Sequence, residues 1–145
     1  MKLLWLGLMA CLLSSQTVRV GTFDKPSVVV AYYRSPLWAD MLKSQRAALQ
    51  AAKQANDSQK VKELQEWGGK SQELAHQQLA GKAPITNILE ALSPAFPDIA
   101  RQAQVEKIVA EPDKSAQTVD VTDLILDYLK ADEATRKIVA GLRKH

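Results

Sequence analysis

A chain of 145 residues, 46% of them apolar, fits one folded domain and excludes a polar, disordered tract. Its 19 basic and 16 acidic residues leave a net charge of only +3, and no dense Lys or Arg run supplies the basic stripe of a nucleic-acid binder. The single cysteine excludes an internal disulfide, so stability must come from packing.

The opening MKLLWLGLMACLLSS sets one Lys before an apolar run at 3–13 and small polar residues after it. That run is shorter than the roughly 20 apolar residues a bilayer span needs, and it suits the apolar core of a secretory signal. Residues 1–15 are therefore predicted to be an export signal and 16–145 a single domain of the periplasm or cell envelope. Cys11, in Leu8-Met9-Ala10-Cys11, is similar to the bacterial lipoprotein box, whose cysteine carries lipid. The other reading makes Cys11 an apolar residue of a signal removed after Ser14 or Ser15. A membrane partner is expected only through that anchor.

In TVRVGTFD, residues 17–24, the alternation of Val18 and Val20, followed by Phe23, predicts a half-buried strand that Asp24 ends. The next stretch, KPSVVVAYYRS, carries opposed signals. Its valines and tyrosines favour a strand, whereas Asp24 as cap with Pro26 in the first turn favours a helix, and the helix is the reading taken. Ser35-Pro36 then opens a helix over 37–55, with Leu37, Met41, Leu42, Ala48, Leu49 and Ala52 on one stripe. Asn56-Asp57-Ser58 marks a turn. A second helix follows, with Val61, Leu64, Trp67, Leu74 and Leu79 apolar, and the pair reads as an antiparallel helical hairpin over about 36–82. Gly68-Gly69 inside it implies either a bend or a close backbone approach. Gly81 and Pro84 supply its stop.

Beyond the hairpin, Thr86 is the expected cap of a segment burying Ile88, Leu89 and Leu92, broken at Ser93-Pro94 or at Pro97-Asp98. VEKIVAE, 105–111, and TVDVT are predicted strands on either side of a loop. Thr122 or Asp120 caps a helix carrying Leu124, Ile125, Tyr128 and Leu129. Asp132 and Glu133 open a last helix expected to turn Ile138, Val139 and Leu142 inward. The fold class expected is α+β, mostly helical, with a small sheet formed by N- and C-terminal strands and a projecting hairpin.

A secretory signal, a strand ending in Asp as VRVGTFD, a helical hairpin, and then VEKIVAE followed by TVDVTDLILDYL is an order of elements that resembles the Skp/OmpH-like family of periplasmic chaperones. VDVTDLILDYL is the closest local match, and the resemblance covers roughly 17–130. It implies a short-armed relative, a trimer with helical arms, and unfolded outer-membrane or other envelope proteins as partners. Association is also expected on physical grounds, because narrow helical stripes and two or three short strands bury little alone.

Few residues have the pattern of a reaction centre. His76 has no Cys, and no His three or four positions away, to share a metal, and it reads as a solvated or interface histidine. Glu63, Glu66 and Glu73 with Lys60, Lys62 and Lys70 are spaced as surface pairs. Asp120, Asp123 and Asp127 lack the glycine turn of a calcium loop and read as caps and solvated groups. No phosphate loop or nucleophile motif is present, so neither an enzyme nor a cofactor is expected. Trp38 and Trp67 are expected to face each other or a neighbouring subunit.

The function expected is an ATP-independent hold on unfolded envelope proteins, with Leu37, Met41, Leu42, Leu49, Val61, Leu64 and Leu74 as client contacts. The competing class is a scaffolding envelope protein, anchored through Cys11 and paired with a fixed partner. A small hydrolase or metal enzyme comes third, for want of a constellation.

Overall fold

The computed structural model describes residues 17–144, so the signal at 1–15, with Trp5 and Cys11, and the terminal His145 lie outside the described residues. Strand β1, Arg19–Thr22, is short and central; β2, Lys107–Ile108, and β3, Gln117–Asp120, flank it in the order β2-β1-β3. Both pairings are parallel, with Gly21 opposite Ile108 on one side and Val119 on the other. Parallel neighbours need crossover connections. Between β1 and β2 the crossover is almost the whole helical part of the chain, and between β2 and β3 it is the loop 109–116, which passes over β1. The strands are shorter than the sequence patterns predict, because pairing stops where the chain bends into that loop and into the following helix.

The two faces of β1 differ. Val20 is buried on the face covered by the crossover loop, beside Val18, Lys107 and Val109. Gly21 points the other way, towards Val121, Ile108 and Val105, where a side chain would meet all three. On that second face lies the main core, built from Phe23, Val28, Val29, Tyr32, Ile88, Leu92, Ile99, Val121, Ile125 and Leu129.

Helix α1, Lys25–Tyr33, is the centre of this core. Val28 and Val29 are tolerated in a helix because they are buried, with Val30 half-buried beside them, and the helix start is fixed by Asp24, whose carboxylate accepts from the Ser27 amide at 3.0 Å. The Asp24 amide in turn donates to the buried Thr122 hydroxyl at 2.9 Å, tying the end of β1 to the later helices. Helices α2, Pro36–Gln54, and α3, Ser58–Leu79, pack against one another across the turn at 55–57. Asn56 takes a left-handed φ of 53° in that turn, and Asp57 caps α3 by accepting from the Lys60 amide at 3.0 Å. At the other end of α3, Gly81, at φ 71°, closes the helix with the Lys82 amide donating to the Gln77 carbonyl at 2.8 Å.

Gly68 and Gly69 do not mark a close approach. Nothing lies within 4 Å of a Cβ built at either, and α3 is continuous through them. Gly68→Ala and Gly69→Ala are therefore expected to stabilise the protein by about 0.5–1 kcal/mol each, read as a rise in urea midpoint, because alanine limits the unfolded chain and meets no clash.

Helix α4, Thr86–Leu92, is followed by a 3-10 turn, Ser93–Ala95, and α5, Phe96–Ala103. Ile85, not Thr86, occupies the cap position, and no side chain caps this helix. Ile85 is drawn into the core, which leaves Thr86 as the first helical residue. The break falls at Ser93-Pro94, while Pro97 sits harmlessly in the first turn of α5. In α6, Thr122–Tyr128, the buried face is Thr122, Ile125 and Leu126, and Tyr128 is 43% exposed.

The last helix, α7, Glu133–Leu142, packs on α1 through Thr135 and Val139. Arg34 fixes its rotation by donating to the Thr135 hydroxyl at 2.9 Å, so Ile138 and Leu142, expected inward, are each 43% exposed. Arg143 closes the helix onto the carboxylates of Asp120 and Asp123, and Arg136 pairs with Asp127 at 2.6 Å. Each of these three aspartates thus has an arginine partner. Burial alone would raise the Asp120 carboxyl, but hydrogen bonds from Thr122 and the Arg143 guanidinium outweigh it and hold the group below its ordinary 3.8. Hydrogen bonds from the Thr135 hydroxyl and amide lower Asp132 in the same sense. A carboxyl depressed by folding contributes stability above its unfolded pKa and loses it as pH falls through the folded value. Acid is therefore expected to loosen α7 below about pH 4. Amide exchange at Thr135 reports the loosening, and Asp132→Asn flattens the acid limb.

Candidate functional site

The turn between α1 and α2 gathers aromatic side chains. Ser35 donates its hydroxyl proton to the Tyr32 carbonyl at 2.6 Å and accepts from the Trp38 amide at 3.3 Å, so α2 starts one step from the end of α1. The Tyr33 and Trp38 rings then meet edge to face at 4.9 Å and 86°, and Tyr32 lies 5.7 Å from Trp38. From α3, Trp67 reaches within 6.3 Å of Trp38 at an interplanar angle of 30°. The two tryptophans face each other within the chain, one of the two arrangements their positions allow. Such ring pairs contribute about 0.5–1.5 kcal/mol beyond their buried area.

Gln78 locks α3 in place beside this cluster. It is 3% exposed, accepts from the Tyr33 hydroxyl at 2.6 Å, and donates to the Pro84 carbonyl at 2.7 Å and to Asn87 Oδ1 at 2.6 Å. Among the described residues no buried side-chain polar atom lacks a partner, and Gln78 is one reason. Burial, with the neighbouring Tyr33, pushes the Tyr32 phenol above its ordinary value.

Between α2, α3 and α4 these rings wall a cleft of about 380 Å³. Met41 and Leu74 line it with Ser71, Asn87, Glu90 and Ala91. Of the predicted client contacts, the structure brings only Met41 and Leu74 into this cleft. Leu42, Leu49, Val61 and Leu64 are half-buried along α2 and α3. Leu37 stands apart, 39% exposed in a separate hollow with Tyr128, Asp40 and Lys130. His76 is exposed, and no group of acidic, histidine or cysteine residues able to hold a metal occurs among the described residues.

Gln78, Ser71, Asn87 and Glu90 were invisible as site residues in sequence. A signal existed for two of them: 67, 71, 74 and 78 repeat at helical spacing, so Ser71 and Gln78 share a face with Trp67 and Leu74. A larger hollow of about 540 Å³ lies under the crossover loop. It has no aromatic wall, and Glu111 on its rim is engaged by Lys25, so the aromatic cleft is the better site. No family model, curated protein or solved structure matches the chain. No helix among the described residues is long and apolar enough to cross a membrane.

Proposed function

We propose that this protein is an exported, ATP-independent holdase of the Skp/OmpH-like type, in which α2 and α3 form a projecting antiparallel hairpin that shields apolar segments of unfolded envelope proteins. The observation that carries this reading is the placement of α2 and α3. They pack on one another across the turn at 55–57, with Ser35 and Gln78 bonded to the rest of the chain at either end, and apart from buried Ala52 their apolar residues are half-buried or exposed, which supports the reading. Half-buried Met41, Leu42, Leu49, Val61, Leu64 and Leu74, with exposed Leu37, offer a chain of weak apolar contacts. Each full burial contributes about 1.5–3 kcal/mol, so a few partial ones suffice for a reversible hold.

Self-association belongs to the same reading. The outer edges of β2 and β3 have no strand beside them among the described residues, and Ile138 and Leu142 remain exposed on α7. A trimer follows from the family resemblance, and sedimentation at micromolar concentration measures it. The deciding experiment is light scattering from an outer-membrane protein diluted out of urea. Stoichiometric amounts of this protein are expected to suppress the signal, and Leu49→Asp with Leu64→Asp to restore it. Undiminished scattering with the unmodified protein removes the holdase reading. The fixed-partner alternative draws on the Ile138 and Leu142 pair, and a lipid on Cys11, seen by mass spectrometry of the exported protein, would favour it.

A further inference from the structure

We propose that the aromatic cleft is a binding site for a quaternary ammonium group. Its volume, about 380 Å³, falls in the range of small-ligand sites. Trp38 and Trp67 are half-buried, with ring centroids 6.3 Å apart and planes tilted by 30°, and Tyr32 and Tyr33 complete an aromatic lining of four rings. Aromatic faces attract a cation held within about 6 Å of their centroids. Glu90 is the one charged side chain on the wall, and among the described residues its carboxylate makes no ion pair. The charge of the cleft is therefore negative.

Its polar inventory selects among cations. A primary ammonium brings three donors and a guanidinium five, each needing an acceptor once desolvated. Here the Tyr33 hydroxyl proton goes to Gln78, and Asn87 Oδ1 already accepts from Gln78. The Ser71 hydroxyl and the Glu90 carboxylate remain to accept, with one further lone pair each on Tyr33 Oη and Asn87 Oδ1. A trimethylammonium group has no N–H to satisfy and presents methyl groups to the rings, so it needs none of these acceptors to be aligned, whereas a lysine-like or arginine-like group needs several of them at once. Met41 and Leu74 supply the apolar floor for its methyl groups.

The test titrates the isotope-labelled full chain with choline, with methylammonium, and with the neutral isostere 3,3-dimethylbutan-1-ol, reading the Trp38 and Trp67 indole N–H resonances. Choline is expected to shift both along one saturating curve, and the neutral isostere to bind about tenfold more weakly. Glu90→Gln, a surface change that leaves folding intact, should weaken choline about fivefold. Trp67→Leu should weaken it about tenfold or more, read at Trp38. Equal affinity for choline and its isostere, methylammonium binding tighter than choline, or no saturable shift overturns the proposal. Once choline binding is established, co-sedimentation with phosphatidylcholine vesicles, competed by choline, assigns the group to a lipid headgroup. Failure to co-sediment assigns it to a free solute.

Discussion

Gly21→Val is expected to lower the unfolding free energy by about 3 kcal/mol, visible as a fall in urea midpoint with an unchanged slope. A Cβ at this position lies 3.0 Å from Val121 Cγ1, 3.2 Å from Ile108 Cγ1 and 3.3 Å from Val105 Cγ2. All three neighbours are β-branched and stiff at χ1, so they yield little. Two further methyl groups must then push β1 off the strands on either side or force the valines from their rotamers. Gly21→Ala needs only a few tenths of an ångström and should cost about 1 kcal/mol. Val121→Ala opens room on the same spot, so the Gly21→Ala, Val121→Ala pair should cost less than the sum of its parts. Additive effects, or a neutral Gly21→Val, would mean that Gly21 is not enclosed by Val105, Ile108 and Val121, and the sheet described above would be wrong.

That close approach was not legible in VRVGTFD. A glycine in a strand pattern marks a bulge, a bend or a near neighbour, and only the position of Val121, 100 residues on, decides which. Local chemistry was readable at most helix starts, though not at Thr86, which Ile85 displaces from the cap position. Asp24, Ser35, Asp57 and Asp132 each accept from an amide three residues on, as their residue types and following sequence imply. Gly81 takes the left-handed end its composition suggests, but Gln104 at φ 55° and Lys130 at φ 54° do the same work without any sequence signal. There the following residue's contacts fix the chain reversal, and the local penalty is accepted.

The direction of the strands was equally hidden. KIVAEPDKSAQTVDV reads as two short strands with a loose connection, both expected to pair with the N-terminal strand but with no signal for their direction. The answer lies in β1, which inserts between them and forces loop 109–116 to cross over its face. Helix rotation followed the same logic. Periodicity in EATRKIVAGL allowed Ile138 and Leu142 to point inward, but the bonds from Arg34 to Thr135 and from Arg143 to Asp120 turn the other face to the core. Apolar periodicity proposes a stripe, and polar tethers from distant elements choose which stripe is buried.

Gln78 is the residue where that distant choice has the largest functional reach. Gln78→Leu keeps the volume but strands the Tyr33 hydroxyl, the Pro84 carbonyl and Asn87 Oδ1, each of which now has Gln78 as partner. An unsatisfied buried polar group costs about 1–3 kcal/mol. The half-buried members recover part of that from water, so a loss of about 3 kcal/mol is expected, with a fall in Tm of roughly 10 °C. Gln78→Glu sharpens the test, because it replaces the amide donor with a carboxylate facing the Pro84 and Asn87 oxygens. Burial and those acceptors disfavour its charged form, so its folded pKa rises above the ordinary glutamate value. Stability conferred by a raised pKa is present below the unfolded value and lost as pH rises through the folded one. Gln78→Glu is therefore expected to be near the stability of the unmodified protein at about pH 4 and far below it at pH 7. The same variant should release α3 from Pro84 and Asn87, and so open the wall of the aromatic cleft between Trp67 and Trp38. Trp fluorescence moving to longer wavelength with the same pH midpoint as the stability loss is the expected signature. A pH-independent loss would mean that residue 78 reaches solvent and does not anchor the helix.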